Sequence, residues 1–122
     1  MDVMKSFILF LGVFLFSCGH DENVQLVRMG NFNDHPEKEI GIAFDEFFSN
    51  PQWSSLVADD GITYVNVTGG MSFMEKEVEA LIQFKVDLSN STFEVNAFEM
   101  NGIAQNQFMI NALIEKIYED SE

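Results

Sequence analysis

The chain has little with which to do metal or thiol chemistry. Its 122 residues include a single cysteine, Cys18, so no disulfide can close within the chain. Two histidines, His20 and His35, fall short of the three or four convergent ligands a zinc site needs. Basic residues are scarce: 6 Lys and Arg stand against 20 Asp and Glu, for a formal net charge of -14. A surface of that sign repels phosphate backbones and anionic head groups, which argues against nucleic acid as a partner and against electrostatic membrane binding. No apolar run reaches the ~20 residues of a bilayer-spanning helix. The run from Phe7 to Phe16 comes to about half of that.

Catalytic motifs are equally sparse. Asp59, Asp60 and Gly61 lack the twelve-residue alternation of a calcium loop and read as a hairpin turn. Gly69 and Gly70 are followed by no Lys and Ser/Thr pair, so they read as loop glycines and not as a phosphate cradle. His35 has no nucleophile elbow to serve and reads as a loop or capping residue. Glu75, Glu77 and Glu79 are the carboxylates best spaced for acid/base work, but strand alternation sends Glu77 and Glu79 to solvent. The expectation is therefore no enzyme, no cofactor and no metal.

What the chain does have is an export segment. Lys5 precedes the Phe7–Phe16 run, and small Ser17 and then Cys18 follow it, the basic, apolar and small-residue order of a secretory signal. A start at Met4 leaves Met4, Lys5 and Ser6 ahead of the run, a cleaner signal than one carrying Asp2. Leu15, Phe16, Ser17 and Cys18 resemble the lipobox of bacterial lipoprotein precursors: an aliphatic residue, a variable one, a small one, then the cysteine that becomes the mature N-terminus. Phe16 is larger than is usual at its position. The resemblance implies cleavage after Ser17, a diacylglyceryl group on the Cys18 thiol, and acylation of the new amine. An ordinary signal peptide with a chance cysteine is the alternative. Two or three acyl chains, at ~0.8 kcal/mol per buried methylene, anchor a protein stably. In a Gram-negative host, Gly19 after the cysteine implies the outer membrane, facing the periplasm.

This reading divides the chain into a signal over 1–17, a lipidated cysteine and tether over 18–23, and one domain over 24–122. Processing removes one acid, Asp2, and one base, Lys5, so the mature chain keeps its charge of -14. The tether is polar and, at ~3.3 to 3.6 Å per residue, reaches under about 20 Å, so a partner is expected at the same membrane.

Within the domain, Val24–Arg28 reads as a short edge strand. Pro36 is placed to open a helix capped by Asp34 or His35, with Ile40, Ala43, Phe44, Phe47 and Phe48 as its apolar stripe and Asn50 and Pro51 as its end. Trp53–Val57 and Ile62–Thr68 read as a hairpin, broken by Gly69 and Gly70. Val78, Ala80, Ile82, Phe84, Val86 and Leu88 alternate with polar residues as the central strand; a helical start near Met74 is the rival. Thr92–Met100 follows as a strand, closed by Asn101 and Gly102. A helix from about Gln105 to Tyr118 carries Met109, Ala112, Leu113, Lys116 and Ile117 at helical spacing, widened by Phe108, Ile110 and Ile114. The fold class is α+β: a two-layer domain with a four-stranded antiparallel meander and an N-terminal and a C-terminal helix on one face. Gly61–Gly69, Gln83–Asp87 and Thr92–Gly102 are similar to small bacterial envelope proteins of like strand order, a resemblance that implies the architecture and no activity.

Candidate partner residues are apolar side chains that strand alternation sends outward. If Val78, Ile82 and Phe84 face the helices, Leu81 faces out. Phe98 and Met100 do so too if Thr92–Met100 keeps its alternation, whereas a bulge near Ala97 sends Phe98 to the core. Met71, Phe73 and Met74 pose the same choice: they either reach a partner or fold back. The functional expectation is a lipid-anchored, noncatalytic interaction module that binds an envelope protein. The alternative is a carrier holding a small apolar ligand or lipid in a Phe-rich space between helices and sheet.

Overall fold

The computed structural model describes residues 21–120. The signal segment, the lipobox, Cys18 and His20 lie outside the described residues. The domain is α+β, with three helices and five strands.

The first element is a helix, α1 (Glu22–Arg28), where an edge strand was expected. Asp21 decides the difference. Its carboxylate accepts the backbone N–H groups of Asn23 and Val24 at 2.9 and 3.2 Å, satisfying two donors that a helix start leaves open. Glu22 in the first turn and Arg28 in the last complement the helix dipole. Glu22 and Asn23, expected in the tether, are thus part of the fold. Seven residues are too few for a helix to stand alone in water, and burial of Val24 and Val27 holds this one in place.

Helix α2 (Ile40–Phe47) begins four residues after Pro36, and neither Asp34 nor His35 caps it. The intervening loop is tied elsewhere: Asn31 donates toward the carbonyls of His35 and Pro36, and the Ile40 N–H donates to Gly30 at 2.9 Å. Ile40, Ala43 and Phe44 of the expected stripe are buried. Arg28 joins the two helices, its guanidinium donating to both Asp45 oxygens at 2.7 and 3.2 Å while it lies 4.9 Å from the Trp53 ring centre. Trp53 donates to the same carboxylate at 3.0 Å. Burial pushes the Asp45 carboxyl up, and the Arg28 and Trp53 hydrogen bonds with the Arg28 charge outweigh it, holding the group below its usual range.

The sheet is an antiparallel meander in the order β1 (Ser49–Val57), β2 (Thr63–Phe73), β3 (Lys76–Asp87), β4 (Thr92–Met100) and β5 (Ile103–Ala104). Strand β1 starts earlier than expected and contains Pro51, which a bulge between Ser49 and Gln52 on this edge strand accommodates. Gly69 and Gly70 continue β2, opposite Ala80 and Glu79, and are not loop glycines. A Cβ on Gly69 would lie 2.7 Å from the Phe48 Cβ, so the glycine lets the chain pass as it leaves α2. The fifth strand was not expected. Asn101 and Gly102, with φ of 51° and 82°, form the two-residue hairpin that this dipeptide favours.

Strand β3 alternates as expected up to Asp87, with Ala80, Ile82, Phe84 and Val86 buried and Glu77, Glu79, Lys85 and Asp87 exposed, but Leu88, expected to continue the buried row, lies in the turn beyond it and is 43% exposed. In β4, Gln83 faces Ala97 but Phe84 faces Val95, leaving Asn96 as an extra residue. The bulge reverses the alternation, and Phe98 and Met100 are buried, not outward. Helix α3 (Gln107–Asp120) starts after Asn106, whose side chain accepts the Met109 N–H at 2.9 Å. Its buried residues are Ile110, Leu113, Ile117 and Tyr118; Phe108, expected to widen that stripe, is 76% exposed. The helices share one face of the sheet with a core of Phe44, Phe84, Phe98 and their aliphatic neighbours. The other face is open and carries Ser54, Asn66, Gln83 and Ala97 in one row and Gln52, Thr68, Leu81 and Glu99 in the next.

Candidate functional site

The long β2–β3 hairpin runs beyond the rest of the sheet, and its end stands beside α3. Between them is a cleft of about 300 Å3. Met71, Ser72, Phe73 and Met74 form one wall, Met109, Ala112, Leu113 and Lys116 of α3 form the other, and Phe98 supplies the floor. A neighbouring depression shares Met71, Ser72, Met74 and Lys116 and adds Glu46, Phe47 and Glu75. Of the six residues marked in the sequence as partner surface, Met71, Phe73, Met74 and Phe98 are brought together here. Leu81 lies half-buried on the open sheet face, and Met100 is in the core opposite Ala80.

The hairpin tip is an unusual turn. Phe73 pairs with Lys76, so Met74 and Glu75 are its two central residues, and their φ values are 52° and 68°. A two-residue hairpin with both residues left-handed favours Asn and Gly; each side chain with a Cβ costs about 1 to 2 kcal/mol there. The turn leaves Met74 80% exposed at the cleft mouth. Met109, Ala112 and Lys116 recur at helical spacing, a pattern read from sequence as core-facing, but the helix is rotated so that this stripe lines the cleft.

The walls are thioether and aromatic, the contacts best able to repack around differently shaped apolar groups. The rim is charged. Lys116 lies 3.5 Å from Glu119, and Glu46 binds Lys38 at 2.9 Å. His35 sits elsewhere, stacked on Tyr118 at 4.2 Å with Glu115 3.1 Å from Nε2 and Glu37 3.4 Å from Nδ1. Glu77 and Glu79 point to solvent. Among the described residues no group of three or more His, Cys, Asp or Glu converges as a metal site, and no helix is long and apolar enough to cross a membrane. Comparison with protein-family models, curated proteins and solved structures finds no match to this chain.

Proposed function

We propose that this protein is a lipid-anchored lipoprotein of the bacterial envelope, held by acyl chains on Cys18, that acts as a noncatalytic interaction module. The observation that carries the reading is the methionine cleft, an apolar recess with an 80% exposed Met74 at its mouth in a chain of net charge -14. Exposed apolar recesses bordered by charge are where protein partners seat anchor side chains. The partner is a segment with a bulky apolar anchor flanked by Lys or Arg, drawn by Glu75 and the overall field of the chain. The short stretch between Cys18 and Asp21 keeps the cleft near the membrane that holds the lipid, which in a Gram-negative host is the outer membrane.

The test is a photo-cross-linking residue in place of Met74, in full-length protein in its native envelope. The expected result is a cross-link to one envelope protein that is lost when Ala112→Glu fills the cleft and is absent from the same probe at Val57. Equal capture from both positions, or capture indifferent to Ala112→Glu, overturns the reading. The anchor is tested separately: Cys18→Ser is expected to leave the membrane fraction and lose the acyl mass, and unchanged partitioning would remove the lipid from the account.

The carrier reading is narrowed by the core. Phe44, Phe84 and Phe98 are all at most 2% exposed and occupy the space between helices and sheet. An apolar ligand would therefore be confined to the same cleft, where native mass spectrometry after gentle extraction would find it.

A further inference from the structure

Helix α3 has a second flank with a different chemistry. At 100° per residue, Gln107, Asn111 and Ile114 lie on the side of the helix opposite Met109, Ala112 and Lys116. On that side is a cleft of about 390 Å3 between α3, β4 and the α1–α2 loop, within the ~300 to 1,000 Å3 range of small-ligand sites. Asn31 and Asn33 enter it from the loop, Gln107 and Asn111 from the helix, and Thr92 and Phe93 from the strand. Three separate segments thus bring four carboxamides and a hydroxyl around the Phe93 ring, with Phe32, Val95, Ile110 and Ile114 as the apolar part of the lining. Glu94 is the single charged residue of the lining, in a chain where acids outnumber bases more than three to one.

Each carboxamide both donates and accepts, which suits a ligand whose hydroxyls do the same. Asn31, Gln107 and Asn111 are also tied to neighbours. Asn31 donates to the carbonyls of His35 and Pro36 at 3.4 and 3.3 Å, and Gln107 donates to Asn111 at 3.0 Å. Among the described residues these bonds leave the Asn31 and Gln107 oxygens and the Asn111 amide hydrogens for a ligand. The Phe93 ring is fixed as well: it packs so closely on Gly30 that a Cβ there would come within 2.7 Å of it. Groups fixed before binding lose little entropy on capture.

We propose that this cleft binds a neutral glycan, with the apolar face of a pyranose ring on Phe93 and its hydroxyls bridging Asn31, Gln107 and Asn111. An anionic ligand meets Glu94 and the field of the whole chain and is disfavoured. The site uses no residue of the methionine cleft, so it stands or falls independently of the docking reading.

The test titrates the isotope-labelled full chain, in a detergent without a sugar head group, with the neutral saccharides chitotetraose and cellotetraose and with a neutral tetrapeptide. The expected result is saturable movement of the Asn31, Gln107 and Asn111 side-chain amide signals with at least one saccharide. Affinity is expected to fall about tenfold in Asn111→Ala, an exposed position whose folding the same spectra report, and to be unchanged in Ala112→Glu. Absence of saturation at millimolar saccharide, equal affinity in Asn111→Ala, or movement with the peptide and not the saccharides overturns the proposal.

Discussion

Phe98 lies opposite Ile82 across the β3–β4 ladder, on the helix-covered face, and each is 2% exposed. That pairing exists because Asn96 is an extra residue, its amide donating to Gln83 at 2.7 Å on the open face while the strand beyond it is turned over. Phe98→Ala is expected to cost about 3 to 5 kcal/mol, the usual range for emptying an aromatic site in a core. Deletion of Asn96 is expected to cost clearly less, because it leaves Val95, Ala97 and Phe98 in plain alternation opposite Phe84, Gln83 and Ile82, with Phe98 and Met100 still inward. Denaturant unfolding checks both. A deletion variant as damaged as Phe98→Ala would show that Asn96 is not the surplus residue of the strand.

The bulge also marks where the sequence stops being legible. Alternation from Val78 to Val86 made β3 plain, and the Ile40, Ala43 and Phe44 stripe made α2 plain, because burial on one face writes a period into the chain; Leu88 kept the period by chance and is exposed. Asn96 adds one residue and no period, so alternation alone left Phe98 and Met100 undecided. Helix α1 was hidden because its signal is a cap, Asp21, inside a stretch that reads as polar tether. Asn101 and Gly102 did carry the hairpin signature, but a partner strand of two residues is too short to show alternation. At the cleft, Met71, Phe73 and Met74 stood out as misplaced apolar residues. Met109 and Lys116 did not, since a helical stripe looks the same whether it faces a core or a recess.

Tyr118 should titrate late. Burial, and then the negative charge of Glu37, push its phenol up to about 12. The folded state therefore holds this proton more tightly than the unfolded chain, whose phenol titrates near ~10. The associated stability is complete below about 10 and is lost as the pH climbs through about 12. With Tyr64→Phe, the tyrosinate absorbance reports Tyr118 alone, since the chain has two tyrosines. A midpoint close to the unfolded value would show that the ring is not held as described.

Adjacent glycines in β2 should respond differently to a methyl group. At Gly69 the added Cβ meets the Cβ of buried Phe48 at 2.7 Å, an atom that cannot move without shifting the exit of α2. Gly69→Ala is expected to cost about 1 to 3 kcal/mol, the range for overpacking. At Gly70 the obstacle is the hydroxyl end of exposed Ser49, which can rotate away, so Gly70→Ala should cost clearly less. Unfolding midpoints of the two variants decide the order, and a reversed order would contradict the packing at the α2–β1 junction.

The hairpin tip separates stability from docking. Met74 and Glu75 both hold left-handed backbone that Asn and Gly hold at lower cost. Glu75→Gly is expected to gain about 0.5 to 1 kcal/mol, the relief of strain exceeding the entropy that glycine adds to the unfolded chain. It leaves the Met74 side chain at the cleft. Adding Met74→Asn should gain a further, similar amount while removing the exposed thioether, so the double variant is the more stable protein and the poorer binder. Denaturant midpoints, read beside binding of the partner captured from position 74, test the two effects separately. If the double variant bound as well as the parent, the strain at Met74 would have no tie to recognition, and the cleft would have to work through Met71 and Met109 alone.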